Sequence, residues 1–351
     1  MTSSDVLIIG GGAAGLFCAF TAARRGHRVR VLEGSNRIGK KILMSGGGRC
    51  NFTHLHSTHE NFLSDNPHFC RSALARYTPY DFLELVERHD IDYVAKTPGQ
   101  LFCRDSSKQI VQLLATECAS AGVTIETGCR VTEVTSAGTG FRVSTEQGHY
   151  TSGAVVIASG GLSIPKMGAS DIGYRIARHF GLEIRPTRAA LVPFTFTGDW
   201  HTRMARLKGV SFPGRVTAGG TTFSDGLLFT HRGLSGPAAL QVSTYWREGQ
   251  TLSVELLPDA NGAAQLLAAK RSRPRRRLAS ELAVALPKSL ANEWLDGRFP
   301  DLAARPMAEL RDEALREVGE ALSDWSLLPS GTEGYRTAEV TLGGVDTHAL
   351  D

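Results

Sequence analysis

The sequence predicts an α/β protein: a parallel-sheet domain interrupted by an insertion that joins a small antiparallel β-domain to a helical subdomain. Three observations predict it. An uncharged apolar run near the amino end, "VLIIGGGAAGLFCAFTAA", is cut early by three glycines. Further glycine clusters fall where later apolar runs end. Beyond Thr187 the texture changes, first to short β-like runs and then to helix-like stretches.

The opening run is neither a leader nor a bilayer span. A signal peptide wants a basic start and a small-residue cleavage site, whereas Asp5 precedes this run and Arg24 and Arg25 follow it. A span wants about 20 apolar residues in one helix, and the glycines divide this one into a strand-length piece and an Ala-rich, helix-like piece. Read as strand, turn and helix, it places Gly10, Gly12 and Gly15 on the spacing G-x-G-x-x-G. Gly10 allows the tight turn, Gly12 lets the backbone approach a pyrophosphate, and Gly15 lets the helix pack on the strand. The phosphate charge then rests at the helix's amino end, at Ala13 and Ala14. A second strand, "RVRVLEG", ends in Glu33, near the offset of roughly 20 residues at which a carboxylate accepts from ribose hydroxyls. Strand, helix, second strand and acid together predict a Rossmann-like dinucleotide-binding domain.

Composition agrees with a globular enzyme of more than one lobe: 351 residues, 42% hydrophobic and 21% charged. A net charge of +4 favours anionic ligands without demanding nucleic acid. The six cysteines, Cys18, Cys50, Cys70, Cys103, Cys118 and Cys129, form no C-x-x-C and no metal-ligand spacing. Reduced thiols, a cytoplasmic location, no metal and no membrane association are expected.

The second glycine cluster, "GKKILMSGGGRCNFTH", sets Gly46, Gly47 and Gly48 beside Arg49 and Asn51, with Lys40 and Lys41 just upstream. Backbone donors beside cations suit an anion or the polar edge of a planar ring, and Cys50 among them reads as a buried small residue rather than a nucleophile. Further on, residues 122–150 alternate like strands and are broken by glycine at short intervals, which predicts a β-meander. It leads to "GAVVIASGG", a short buried strand from Ala154 to Ala158. Ser159, Gly160 and Gly161 follow, where backbone comes close to a ligand at the sheet's carboxyl edge.

The expected organisation is residues 1–189 and 336–351 as the discontinuous nucleotide domain, 190–259 as the β-rich insertion and 260–335 as the helical insertion. A substrate is expected at the seam. In "FTHRGLSGPAAL", His231, Arg232 and Ser235 precede a proline that can start a helix at Pro237. His231 and Arg232 are the candidate catalytic residues, as a polar cluster that orients substrate; the alternative is a loop whose His and Arg satisfy nearby carbonyls. The basic stretch "KRSRPRRR", Lys270 to Arg277, is short and lacks interleaved aromatics, so it reads as a solvated surface run, with no nucleic-acid partner expected. Oligomeric state is left open.

With these residues quoted, the chain resembles the BaiN/RdsA (YhiN-like) family of FAD-dependent oxidoreductases, relatives of aminoacetone oxidases and bacterial 3-dehydro-bile-acid reductases. The carriers are "VLIIGGGAAGL" and "GKKILMSGGGRCNFTH", then "VVIASGGLSIPKMGASDIGYRIARHFGLEI", "LLFTHRGLSGPAALQVS" and "GTEGYRTAEVTLGGVDT". The resemblance implies a GR2-type FAD domain, with FAD bound by the glycine turns above, Glu33, the Lys40–Asn51 loop, the Ala158–Gly161 turn and the backbone at Val131, against the adenine. On residue type alone, Val131 is equally a core valine. The resemblance also implies hydride transfer through flavin N5 to a small carbonyl, enone or amine substrate, with NAD(P)H as a transient electron donor. The family continues past "TLGGVDT" through a "GE...D" turn and a "GGYN" stretch, and this chain stops at Asp351. The nucleotide domain is therefore expected to be C-terminally incomplete, and a flavoprotein that binds a nucleotide or partner without turnover is the alternative reading.

Overall fold

The computed structural model describes residues 2–350. The chain forms two compact units, Met1–Pro186 with Gly343–Asp351, and Thr187–Leu342.

In the first unit the strands are β1 (Thr2–Ile9), β2 (Val29–Glu33), β3 (Asn51–His54), β4 (Tyr93–Thr97), β5 (Gln100–Cys103), β6 (Thr124–Thr127), β7 (Val131–Ala137), β8 (Gly140–Thr145) and β9 (Gly148–Ile157). Six of them make one sheet in the order β6-β2-β1-β9-β8-β7. β1 runs parallel to β2, with Val6 opposite Val29, and parallel to β9, with Val6 opposite Ala154. As expected for a central parallel strand, β1 is apolar on both faces over its second half, Val6 to Ile9. Ile8 faces a core with Leu16, Phe20 and Val31, while Leu7 and Ile9 face a second one with Leu32, Val131, Val143 and Ile176. Helix α1 (Ala13–Ala23) contributes Leu16, Ala19 and Phe20 to the first of these cores. A separate antiparallel sheet has the order β3-β5-β4.

Two expectations change here. The predicted meander loses its first strand, because β6 pairs parallel with β2 and only β7, β8 and β9 form the antiparallel meander. The Gly128 and Cys129 amides bond to the Ser35 and Glu33 carbonyls, which binds the segment after β6 to the end of β2. The strand before the second glycine turn is also longer and less buried than expected. β9 is 10 residues long, Ala154 is exposed and Ile157 is 42% exposed. One strand serves both: its antiparallel pairing with β8 covers Gly148–Ser152, and its parallel pairing with β1 runs from Tyr150 to Ile157.

β10 (Ile184–Ala190) carries the chain out of the first unit. In the second unit, β11 (Phe194–Thr195), β12 (Ser211–Ala218), β13 (Thr221–Phe229), β14 (Gly233–Ser235), β15 (Leu252–Glu255), β16 (Trp325–Leu327) and β17 (Gly331–Thr332) form a sheet ordered β16-β15-β12-β13-β14-β11-β17. β18 (Val340–Val345) leads back and pairs with β10. The strands of 190–259 and the helices of 260–335 share one hydrophobic core, in which Phe194, Phe229 and Val254 pack with Leu290, Trp294 and Leu315. β16, within the stretch read as helical, pairs with β15 and ties the two parts together. No helix among the described residues is long and apolar enough to cross a membrane.

Candidate functional site

The three glycines of the first turn have different physical reasons to be glycine. Gly10 has φ +113°, and a Cβ there would run into the Ala158 carbonyl, so the first and second glycine turns touch. A Cβ on Gly15 would strike the Gly10 carbonyl, so this glycine sets the close approach of α1 to the strand's end. Gly12 has ordinary extended backbone, φ −85° and ψ −171°, and a Cβ there would meet nothing within 4 Å. Nothing in the fold asks for glycine at 12, and its missing Cβ leaves the approach to the helix's amino end open.

That end is built for an anion. Gly12 is the N-cap of α1, no side chain caps the helix, and its first turn holds no acidic residue. Ala13 and Ala14 are exposed there. The first-turn N–H groups of a helix have no intrahelical acceptor, and the helix dipole adds positive potential. Glu33, at the end of β2, lies across the turn. One of its carboxylate oxygens accepts from the Gly11 N–H at 2.7 Å, and the other accepts from the Ser35 N–H at 2.7 Å. Each oxygen keeps a lone pair, enough to accept from a ribose hydroxyl as well.

Lys40 and Lys41 open a short helix (Lys40–Met44) that runs into the glycine cluster. Gly46, Gly47 and Gly48 all have positive φ, and so does Cys50, a non-glycine residue at φ +51°. The loop is held from within: the Cys50 N–H bonds to the Ser45 carbonyl, the Ser107 N–H to the Gly48 carbonyl and the Cys103 N–H to the Arg49 carbonyl. Cβ atoms on Gly47 and Gly48 would meet open space, whereas one on Gly46 would strike Phe102. Arg49 is exposed. Cys50 is 6% exposed, and burial pushes its thiol up, against a smaller opposing effect from a Ser45 hydrogen bond. Asn51 serves the protein itself. With its amide oriented so that both ends find partners, it donates to the Leu101 and Thr53 carbonyls at 3.1 and 3.2 Å and accepts from Gln100 at 3.1 Å. Its side chain clamps β3 to β5.

At the second turn, the Ala158 N–H bonds to the Ile9 carbonyl at 2.9 Å, which carries β9 alongside the end of β1. The Ser159 Oγ is buried and has no partner among the described residues. Gly160 has φ +76°, and Gly161 follows it. Val131 opens β7 with its side chain in the core beside Leu32 and Cys129, which leaves only its backbone for a ligand.

A cavity of about 1010 Å³ runs along α1. Ala13, Ala14, Lys41, Ser45, Cys50 and Asn51 line it, together with Val6, Phe17, Ala154 and Val156. Gly12, Glu33 and Ser159 are not among its lining residues. The donor set that suits a dinucleotide lies at the two glycine turns themselves: an uncapped helix terminus, the Glu33 carboxylate, the unpartnered Ser159 hydroxyl and a glycine whose missing Cβ leaves the approach open. Sequence reasoning missed Gly11 and Ser35, whose N–H groups hold Glu33 in place. The middle glycine of "GGG" was the visible signal, because a Cβ on Gly11 would crowd Ile38 and Glu33.

His231 and Arg232 lie in the second unit as the central residues of the turn joining β13 to β14, closed by the Thr230 N–H on the Gly233 carbonyl at 2.8 Å. His231 is exposed, and neither side chain has a hydrogen bond or ion pair among the described residues. The Arg232 and Gly233 amides both bond to the Thr230 hydroxyl. Pro237 starts a helix (Pro237–Ser243), as its position predicted.

A family model described as "HI0933-like protein Rossmann domain" matches residues 4–351. The chain is 47% identical over 352 residues to a "Ribosomal RNA dihydrouridine synthase" of Escherichia coli, covering 100% of this chain and 87% of that protein. It is 42% identical over 353 residues to a protein of the same name from Haemophilus influenzae, covering 99% and 87%. A "3-dehydro-bile acid delta(4,6)-reductase" of Clostridium scindens is 27% identical over 366 residues, covering 97% and 86%. The match runs through both glycine turns and the second unit alike, and the chain belongs to the HI0933-like Rossmann-domain family of flavin-dependent oxidoreductases.

Proposed function

We propose that this protein is an FAD-dependent reductase that saturates the C5=C6 bond of a uridine in ribosomal RNA. The observation that carries the substrate is the 47% identity, over the whole chain, to a protein named for that product. The chemistry of the relatives' names agrees with it. In uracil the C5=C6 bond is conjugated to the C4 carbonyl, and a delta(4,6)-reductase of a 3-dehydro compound likewise acts on alkenes conjugated to a carbonyl. Both are enones, one of the substrate classes expected from the sequence. What changes is the size of the molecule carrying the enone, and with it the expectation of a small-molecule substrate and no nucleic-acid partner.

FAD, when bound, would supply the two-electron chemistry that saturates the C5=C6 bond, with a reduced nicotinamide cofactor as the electron source. The chain's part is to hold and orient. The amino end of α1 holds the pyrophosphate past Gly12, and Glu33 accepts from the ribose while bracing the turn through Gly11 and Ser35. The buried Ser159 hydroxyl, the positive-φ loop around Gly47 and the backbone at Val131 supply further polar groups for the cofactor. His231 and Arg232, unpartnered within the fold, orient the RNA substrate. This activity belongs in the cytoplasm, where ribosomal RNA is.

The test is a single turnover. Reduced, FAD-loaded protein is mixed without oxygen with ribosomal RNA lacking dihydrouridine, and the flavin absorbance is followed. The reading expects reoxidation matched by dihydrouridine formed. Reoxidation by a small enone but never by the RNA would overturn it.

A further inference from the structure

We propose that the arginine-rich turn Arg271–Arg277 of the second unit is an anchoring surface for the phosphate backbone of ribosomal RNA; this deepens the reading just given and rests on it. The segment Lys270–Arg277 holds six cations and no carboxylate, in a chain whose net charge is only +4. From the sequence alone it reads as a solvated run. The structure shows it to be exposed and also fixed.

The turn links helix Gly262–Ser272 to helix Leu278–Leu282, and every residue from Arg271 to Arg277 is exposed. Its backbone is tied down on both sides. The Arg276 N–H closes a turn on the Arg273 carbonyl at 3.0 Å. The Met307 and Ala308 amides bond to the Arg276 and Pro274 carbonyls at 2.8 and 2.9 Å, and Arg277 bridges to Pro306. Glu281, 9% exposed beneath the turn, pairs with Arg273 and, at 3.4 Å, with Arg276. Lys270 is held by Asp312 at 2.6 Å. These pairs lock the base of the turn and use up the carboxylates that touch it.

Arg275 and Arg277 are left over, together with Arg271, which stands near the Asp312 charge that Lys270 already holds. Neither Arg275 nor Arg277 has a side-chain hydrogen bond or ion pair among the described residues. Two unpaired guanidinium groups on a backbone fixed by hydrogen bonds pay little ordering entropy on meeting a ligand, and guanidinium suits phosphate through its planar fork of donors. A compact cation cluster without aromatic side chains reads phosphate rather than bases, so the surface contributes affinity and salt dependence rather than sequence choice.

The experiment uses the full-length, FAD-loaded protein and deproteinised bacterial ribosomal RNA, with binding measured across a salt series for the wild type, Arg275→Ala/Arg277→Ala and Arg275→Lys/Arg277→Lys. The slope of log affinity against log salt should become shallower by about 1.4 to 1.8 in the alanine pair, at roughly 0.7 to 0.9 per lost phosphate contact, and should be kept in the lysine pair. Melting temperature and flavin per protein should match the wild type in both, which separates lost contacts from lost fold. An alanine pair that binds with wild-type affinity and slope overturns the proposal, as does a wild type that binds anionic phospholipid vesicles and not the RNA. If that alanine pair binds like the wild type while the wild type makes dihydrouridine, the anchoring surface fails and the function stands. If the slope changes as expected but no dihydrouridine forms, the surface stands and the function fails.

Discussion

Gly11 donates its backbone N–H to the Glu33 carboxylate at 2.7 Å, so the turn leaving β1 is tied to the end of β2 by this side chain. The other oxygen holds Ser35 at the same distance. Glu33→Ala should therefore destabilise even the flavin-free protein, by about 1.5–3 kcal/mol, the scale of hydrogen bonds to a charged group. Glu33→Gln, which keeps one acceptor oxygen, should fall between. Urea denaturation of flavin-free protein checks it; an unchanged midpoint in Glu33→Ala would show that the two bonds carry no net stability.

The glycines of the first turn should separate cleanly. Gly12→Val should leave the stability of the flavin-free protein within about 1 kcal/mol, because its backbone is unstrained and its Cβ meets open space. Flavin occupancy should nevertheless fall sharply. Gly15→Ala should unfold or strongly destabilise the protein, because its Cβ strikes backbone. Paired measurements of flavin per protein and melting temperature decide it, and a Gly12→Val protein that purifies with full flavin would contradict the pyrophosphate assignment.

The parts legible in the sequence were those whose signal is local. The G-x-G-x-x-G spacing located Gly10, Gly12 and Gly15, and the texture change near Thr187 lies at the boundary between the two units. Partner choice was not legible. The alternating pattern of Thr124–Thr127 is the same whether its neighbour is β7 or β2, and only the long-range bonds of Gly128 and Cys129 decide. The reading of "GAVVIASGG" as buried took apolar residues for core, but the face carrying Val6, Ala154 and Val156 opens to the cavity along α1. Asn51 reads as a ligand contact in the sequence and lines the cavity, while its partners on β5 and at Thr53 are visible only in three dimensions.

The buried thiols give the protein an alkaline limit. Burial pushes Cys103 and Cys118 up to about 11. Each stays protonated in the fold while an unfolded thiol ionises nearer 8.5, so the unfolded chain loses protons first as pH rises. Their stabilisation is complete below that value and is lost progressively as pH climbs towards 11. Stability to urea should decline over that range, and Cys103→Ser/Cys118→Ser should flatten the decline. Native iodoacetamide labelling at pH 8 should spare both residues, since only about one thiol in a thousand is ionised there; rapid labelling of either would contradict their burial.

His231 and Arg232 sit at the tip of a hairpin with no side-chain partner, so their loss should cost no fold. Arg232→Ala should lower kcat/KM on ribosomal RNA by roughly 10- to 100-fold, as expected for one lost charged hydrogen bond, at constant flavin content. His231→Ala should show a smaller loss in the same direction. Loss of flavin in either variant would contradict their assignment to the substrate.

The central claim, uridine reduction by a flavin held past Gly12, is tested most directly by the mass of the product. Ribosomal RNA free of dihydrouridine is incubated with FAD-loaded protein and a reduced nicotinamide cofactor deuterated at its transferable position or prepared in deuterated water, then digested to nucleosides. The account predicts a uridine that has gained two atoms of hydrogen, its mass raised further by the deuterium that the water delivers to C5, and its disappearance with Gly12→Val. Ribosomal RNA that returns with every uridine unchanged, from a protein shown to hold reducible flavin, would contradict it.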